Sequence, residues 1–453
     1  MSTLPLIAHA TPDAIVAWRN GAPITARQFL GEVRQVADQL PSGRHVLNLC
    51  IDRYRFAVSL AACIVSGRIS LLPSTRTPET VRQLQQGNAD VFCISDQEKS
   101  GVDLPVFRYP DALPPLATDT AIPEIDSSQL VANVFTSGST GLPVPHPKRW
   151  GSLVRNARAE AERLGLDACY AILGTVPPQH MYGLESTVLM AWQSGAALHA
   201  GHPFYPADIG TQLAELPRPR LLVTTPFHLR TLLAEPIAVP QADQLLSATA
   251  PLLPDLAIEA EARFGAPLHE IYGCTETGQI ASRRTATELE WQTLPDVRLG
   301  CDAEHCWAEG GHIEVPTRLN DVIEPVGDGP AWTRFLLHGR HADLVNIAGK
   351  RTSLAYLTHQ LNAIPGVLDG VFLQPESETS AGIGRLTALV VAPSLTPAVL
   401  MQALRDRIDP IFLPRPLKLV DQLPRTATGK LSHATAQALS AALPAHAAGR
   451  VSS

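Results

Sequence analysis

The stretch "LVANVFTSGSTGLPVPHPKRW" at residues 130–150 limits the possible folds more than any other part of the chain. An apolar run suited to a buried strand leads straight into Thr136, Ser137, Gly138, Ser139, Thr140 and Gly141, and a helical pattern opens at Ser152. A strand–loop–helix of this kind belongs in a parallel sheet covered by helices. Glycines let the loop's N–H groups converge on a polyphosphate, and hydroxyls add donors at low steric cost. It is neither a Walker A loop, because no lysine follows Gly141, nor a G-x-G-x-x-G turn. Composition alone does not make such a loop specific. The nearest lysine, Lys148, comes late, behind Pro143, Pro145 and Pro147.

The flanking sequence has the same rhythm. "HVLNLCI" (45–51) and "VFCIS" (core 92–95) read as buried strands around a buried helix at 56–67. In the helix from Ser152, Leu153, Ala157, Ala161 and Leu164 share one face and Gly165 suits the C-cap. "LLVTTP" (221–226) reads as a further strand ending at Pro226. After about residue 340 the texture changes to a smaller α+β unit, with strands in "GVFLQP" (370–375) and "TALVVAP" (387–393). There Thr396-Pro397 opens a helix expected to reach Ile408. The expected division is 1–339, a hinge at 340–343, and 344–453 with a disordered tail at 445–453.

Composition narrows the function classes. With 453 residues and a formal charge of −7 spread along the chain, nothing points to nucleic acid or a polybasic membrane surface. The longest apolar run, 56–67, is too short to span a bilayer, and "MSTLPLIAHA" lacks the form of a secretory leader. Seven dispersed cysteines point to reduced thiols in a cytoplasm. Cys301 and Cys306 lie near His305 and His312, but too loosely spaced for a zinc site.

Three more islands follow in order: "YGCTETG" (272–278), "GRHADLVNIAGKR" (339–351) and "LPRTATGKL" (423–431). Together with the loop they make residues 10–440 resemble the adenylate-forming superfamily of acyl- and aryl-CoA synthetases, peptide-synthetase adenylation domains and luciferases. The resemblance implies an α/β fold. Its large N-terminal domain would have parallel-rich sheets, helices and a β-barrel subdomain, followed by a small mobile α+β domain. Only 45 positions separate Glu276 from Asp321, so the barrel is expected to be trimmed. ATP, Mg²⁺ and a phosphopantetheine acceptor are implied as well.

The implied roles are these. Residues Thr136 to Gly141 hold the β,γ-phosphates. Tyr272 lies on adenine beside Gly273, Thr275 contacts the α-phosphate, and Glu276 is the Mg²⁺ ligand. The turn Ser247, Ala248, Thr249, Ala250 lines the adenine and acid pockets, with Thr249 bulkier than usual. His180 and Tyr182 line the acid pocket, offering polar donors at a short floor. Asp321, or its competitor Asp328, binds the ribose together with Arg340. Lys430 bridges carboxylate and α-phosphate, and Gly349, Lys350 and Arg351 face the thiol in the second half-reaction.

Two departures stand out. Val144 fills the family's lysine slot and Pro145 its glycine slot. Either Lys148 returns to the phosphates along a strand that folds back, or the loop works with amides and Mg²⁺ alone. At the pivot, where most members carry Asp or Lys, stands Ala342, with Asp343 beside it.

The implied reaction joins a carboxylate to AMP with release of pyrophosphate, then passes the acyl group to a thiol. The nearest resemblance is to the stand-alone AMP-ligases of aryl-polyene and xanthomonadin pigment clusters. That implies a small aromatic acid, 3- or 4-hydroxybenzoate, and an acyl carrier protein as acceptor. The alternatives are an aryl- or medium-chain acyl-CoA ligase and a non-catalytic nucleotide-binding relative.

Overall fold

The computed structural model describes residues 2–73, 75–111, 121–137, 143–302, 305–328, 331–340, 344–347, 350–374, 386–426 and 431–442. The chain divides into two compact units: Met1–Arg318 with Val326–Arg334, and Leu319–Pro325 with Phe335–Ser453.

The first unit contains two large sheets. In one, the strand order is Pro143–Arg149, Leu130–Ser137, Ile69–Leu72, His45–Asn48, Phe92–Ser95, Val106–Arg108. Helix Arg53–Val65 makes the crossover from His45–Asn48 to its parallel neighbour Ile69–Leu72. Almost every side chain of this helix is buried, as its unbroken apolar run requires. Asp52 caps it by accepting from the Arg55 N–H.

The glycine- and hydroxyl-rich loop does not lead directly into a helix. Pro143–Arg149 runs back antiparallel to Leu130–Ser137, and the helix begins only at Trp150. The strand–loop–helix expectation is therefore corrected to a hairpin followed by a helix. Proline suits this strand because it forms the sheet edge, where a missing N–H leaves no gap in a ladder. Helix Trp150–Leu164 ends as expected at Gly165, which takes φ 64°.

The second sheet places Trp291–Thr293, Gly278–Arg283, Leu268–Cys274, Gln244–Ser247, Arg220–Thr224, Ala171–Gly174, Ala197–His199, Ile15–Arg19 and Ala22–Thr25 side by side. The four strands from Leu268–Cys274 to Ala171–Gly174 are parallel. Their carboxyl ends share one edge, where open α/β sheets take ligands.

In place of a closed barrel, the described residues carry an open antiparallel sheet of Val297–Cys301, Cys306–Gly310 and Ile313–Arg318. Its first hairpin sets Cys301 opposite Cys306, and the two form a disulfide. This corrects the reading of all seven cysteines as thiols. The spacing of the pair looked loose along the chain, but the register makes the two residues direct neighbours. Cys50, Cys63, Cys93, Cys169 and Cys274 are free.

In the second unit, hairpins Asp321–Pro325/Arg334–Arg340 and Leu344–Ile347/Lys350–Ser353 precede helix Leu354–Asn362. Asp369–Leu373, Thr387–Val391 and Leu417–Leu419 form a sheet over a core that includes Leu357, Leu361, Leu400 and Leu404. Thr396 caps helix Pro397–Arg405 as expected, but the helix stops before Ile408, which is buried beyond its end. The tail 445–453 lies outside the described residues, as do 341–343 of the expected hinge. No helix among the described residues is long and apolar enough to cross a membrane.

Candidate active site

At the carboxyl edge of the second sheet, Leu268–Cys274 turns back into Gly278–Arg283. The two glycines of "YGCTETG" are both required by geometry. A Cβ on Gly273 would lie 2.3 Å from the Gly278 carbonyl oxygen. Gly278 itself takes φ 80° to close the turn. Thr275 and Glu276 form that turn, and Tyr272 stands half-buried on the incoming strand with its ring centroid 5.7 Å from that of Trp291.

The edge strand Pro143–Arg149 reaches the same turn. Side chains at alternate positions share a face, so Val144, His146 and Lys148 point one way. His146 Nε2 lies 2.9 Å from Thr136 Oγ1 and 3.9 Å from Glu276 Oε1. Lys148 Nζ donates to the Thr275 carbonyl at 2.5 Å and to the Glu276 carbonyl at 3.2 Å. The strand does fold back, as one of the two readings required. Among the described residues, however, the partners of Lys148 are these two carbonyls. Gly138, Ser139, Thr140 and Gly141 lie outside the described residues, as do Gly349, Ala342 and Lys430.

Charge under the turn is arranged in layers. Lys148 is only 6% exposed. Burial pulls its ammonium down, and the charge of Glu185 is first among the groups lifting it back. Two carbonyl oxygens at hydrogen-bond distance favour the ammonium over the amine. Burial pushes the Glu185 carboxyl up and Lys148 opposes this. Asn156 Nδ2 donates to Glu185 Oε1. Nearby, Glu160 is fully buried, accepts from Ser186 Oγ at 2.6 Å, and is pushed by desolvation from its ordinary 4.5 to about 7.

Glu276 behaves differently. Burial tends to raise its carboxyl, but hydrogen bonds from its own backbone and Cys274, with the charges of His146 and Lys148, hold it below its ordinary value. No group of three or more His, Cys, Asp or Glu side chains gathers among the described residues. One ionised carboxylate is what Mg²⁺ takes from a protein when phosphates and water supply its other oxygens. Glu276 therefore suits Mg²⁺, and nothing described suits a four-ligand metal.

The acid end of the site differs from expectation. The Tyr182 hydroxyl donates to the Leu246 carbonyl at 3.0 Å, so it is committed to the sheet and is no pocket donor. His180 caps the short helix Met181–Gly183 by accepting from the Tyr182 N–H. Ser247 is fully buried and its Oγ has no partner among the described residues. Ala248 is buried behind it, and Thr249 takes φ 80°, a strained region for a β-branched residue. Ala250 completes the turn.

His228 was not singled out from sequence. Its Nδ1 meets Thr225 and Thr175 hydroxyls at 2.9 and 3.2 Å, its Nε2 is buried without a partner among the described residues, and desolvation lowers its pKa to about 4. Its only sequence signal was a position just past the strand ending at Thr224. His146 was missed too, because it lay among prolines.

In the second unit, Asp321 pairs in register with Arg340, whereas Asp328 lies beyond the end of that strand and is exposed. Lys350 and Arg351 pair with Ile347 and Asn346.

A parallel sheet edge, a hairpin that flanks the glycine- and hydroxyl-rich segment, and the exposed Glu276 carboxylate held below its ordinary value suit a protein that handles nucleotide phosphates. The sequence pattern of the AMP-binding enzyme family matches residues 6–301, and the chain belongs to that family. The 4-coumarate–CoA ligase of Rhodobacter capsulatus is 32% identical over 314 residues, covering 67% of this chain and 75% of that one. The 3-hydroxybenzoate–CoA/4-hydroxybenzoate–CoA ligase of Thauera aromatica is 26% identical over 343 residues, covering 66% and 64%. The o-succinylbenzoate CoA synthetase of Bacillus subtilis, in complex with its acyl-adenylate intermediate, shares the fold with TM-score 0.79 at 18% identity, over 95% of this chain and 97% of that one. The protein is an ATP-dependent, AMP-forming acid–thiol ligase of the adenylate-forming aryl/acyl-CoA ligase group.

Proposed function

We propose that the protein adenylates a small aromatic acid, a hydroxybenzoate, and passes the acyl group to the phosphopantetheine thiol of an acyl carrier protein. A carboxylate oxygen attacks the α-phosphorus of ATP, the bond to the β-phosphate oxygen breaks, and pyrophosphate leaves with that electron pair. The thiol sulfur then displaces AMP. Catalysis of the first step is positioning plus charge neutralisation.

The observation that carries the reading is the convergence of Thr136, His146 and Glu276 at one edge, which supports phosphate binding by the adjoining loop and Mg²⁺ binding by Glu276. Loop amides would hold the β,γ-phosphates, Thr275 the α-phosphate, and Mg²⁺ would add positive charge beside Glu276. Asp321 with Arg340 would take the ribose, and Lys430 would bridge the reactants. In this reading the second unit pivots at 340–343, so that Gly349, Lys350 and Arg351 serve the thiol step.

Support for a small phenolic acid comes from Ser247 Oγ and His228 Nε2, buried polar atoms with no partner among the described residues and suited to a phenol oxygen. The hydroxybenzoate and coumarate ligases among the relatives fit the same class. The carrier-protein acceptor and a role in aryl-polyene or xanthomonadin pigment synthesis rest on the motif resemblance. Free CoA is the second reading, favoured by the names of those relatives.

ATP–pyrophosphate exchange across hydroxybenzoates, coumarate and fatty acids tests the acid. A best rate with long-chain fatty acids refutes the reading. Thioester formation with holo-carrier protein and with CoA, run side by side, decides the acceptor. Lys430→Ala should lose exchange at least roughly a hundredfold. Given pre-made acyl-AMP, it should still acylate the thiol.

A further inference from the structure

The lysine missing from position 144 leaves open what Lys148 does. Its Nζ reaches two carbonyl oxygens that belong to successive peptides, Thr275–Glu276 and Glu276–Thr277. Those planar units flank the Glu276 Cα. Fixing both planes fixes φ and ψ of Glu276, and hence the direction in which its carboxylate leaves the turn. Turn carbonyls require donors when they are withdrawn from water. An ammonium has three, so one buried side chain serves both. Glu185, whose carboxyl burial pushes up to about 8 against the opposing effect of Lys148, is 3% exposed and lies against the same turn: a Cβ on Gly278 would sit 2.9 Å from its Oε1.

We propose that Lys148 is a positioning residue that sets the Mg²⁺-binding pose of Glu276 by holding the peptides on both sides of it. The proposal rests on the reading of Glu276 as the Mg²⁺ ligand. The strand that leaves the phosphate loop thereby orders the carboxylate through the backbone, and the lysine need not touch ATP. His146 supplements it on the same face by lying between Thr136 and Glu276.

The test uses the full-length protein. Lys148→Met alone also removes the positive charge that opposes the upward shift of the buried Glu185 carboxyl, so it changes two groups at once. The informative variant is therefore Lys148→Met with Glu185→Gln, compared with Lys148→Arg and Glu276→Gln. Calorimetric titration with ATP, with and without Mg²⁺, should show affinity without metal unchanged within twofold. The Mg²⁺-dependent gain should shrink at least tenfold in the double variant and recover in part with Lys148→Arg. Amide hydrogen exchange in the ligand-free protein should accelerate at residues 275–278, a readout that needs neither metal nor turnover. In exchange assays the KM for MgATP should rise while that for the acid stays constant.

A double variant that keeps both the full Mg²⁺-dependent gain and wild-type amide protection overturns the proposal. A Glu276→Gln variant that keeps the gain overturns the Mg²⁺ assignment instead. The two failures are thus separable.

Discussion

Glu160 should make the stability of the first unit depend on pH in a direction opposite to most carboxylates. It is fully buried, one oxygen accepts from Ser186 and the other has no partner among the described residues. Desolvation raises it from 4.5 to about 7. Below pH 4.5 folded and unfolded chains both hold the proton, and stability is complete. As pH rises the unfolded chain releases it first, so stability falls until the folded group ionises near 7. At about 1.4 kcal/mol per tenfold change in proton affinity, the full loss is ~3 kcal/mol. Glu160→Gln keeps an oxygen for Ser186 and removes the ionisation. Urea unfolding at pH 5 and pH 8 measures the effect. All six tryptophans, Trp18, Trp150, Trp192, Trp291, Trp307 and Trp332, belong to the first unit, so their fluorescence follows it alone. Between the two pH values the variant should gain ~3 kcal/mol relative to wild type. Parallel stability curves would mean that Glu160 ionises as easily in the folded chain as in the unfolded one, and the argument from burial would fail.

Gly273→Ala places a Cβ 2.3 Å from backbone oxygen and should abolish pyrophosphate exchange by distorting the Thr275–Glu276 turn, checked with circular dichroism to confirm folding. Tyr182→Phe removes one buried hydrogen bond, so unfolding should become about 1 kcal/mol easier while the KM for the acid stays unchanged. Thr249→Gly relieves a positive φ and should stabilise the protein by ~1 kcal/mol, seen as a higher melting temperature. It should also admit bulkier acids in the exchange assay.

Local features were legible in the sequence. The Thr396 cap, the left-handed Gly165 and the buried helix near 56–67 depend on neighbours a few residues away. The family motifs were equally plain, and in "YGCTETG" Gly273 and Gly278 both answer to a backbone need. Partners across the sheets were hidden. Lys148 meets residues 127 and 128 positions along the chain, and Tyr182 bonds a carbonyl 64 positions away. Both choices follow from how distant elements pack, which periodicity does not supply. The Cys301–Cys306 pair is the short-range version of the same problem, since only the hairpin alignment turns its separation into contact.

The prolines of the edge strand have a consequence for folding fidelity. Pro143, Pro145 and Pro147 alternate with Val144, His146 and Lys148. With no N–H on the odd positions, the ladder to Leu130–Ser137 must draw its donors from the even ones. A slip of one residue would turn proline nitrogens toward the partner strand and swing His146 and Lys148 to the opposite face. The misregistered hairpin would thus lose its hydrogen bonds together with its chemistry. The outer margin of the strand, which offers carbonyls and no donors there, is also a poor template for a foreign strand. The alternation that displays His146 and Lys148 on one face is therefore also the strand's proofreading device.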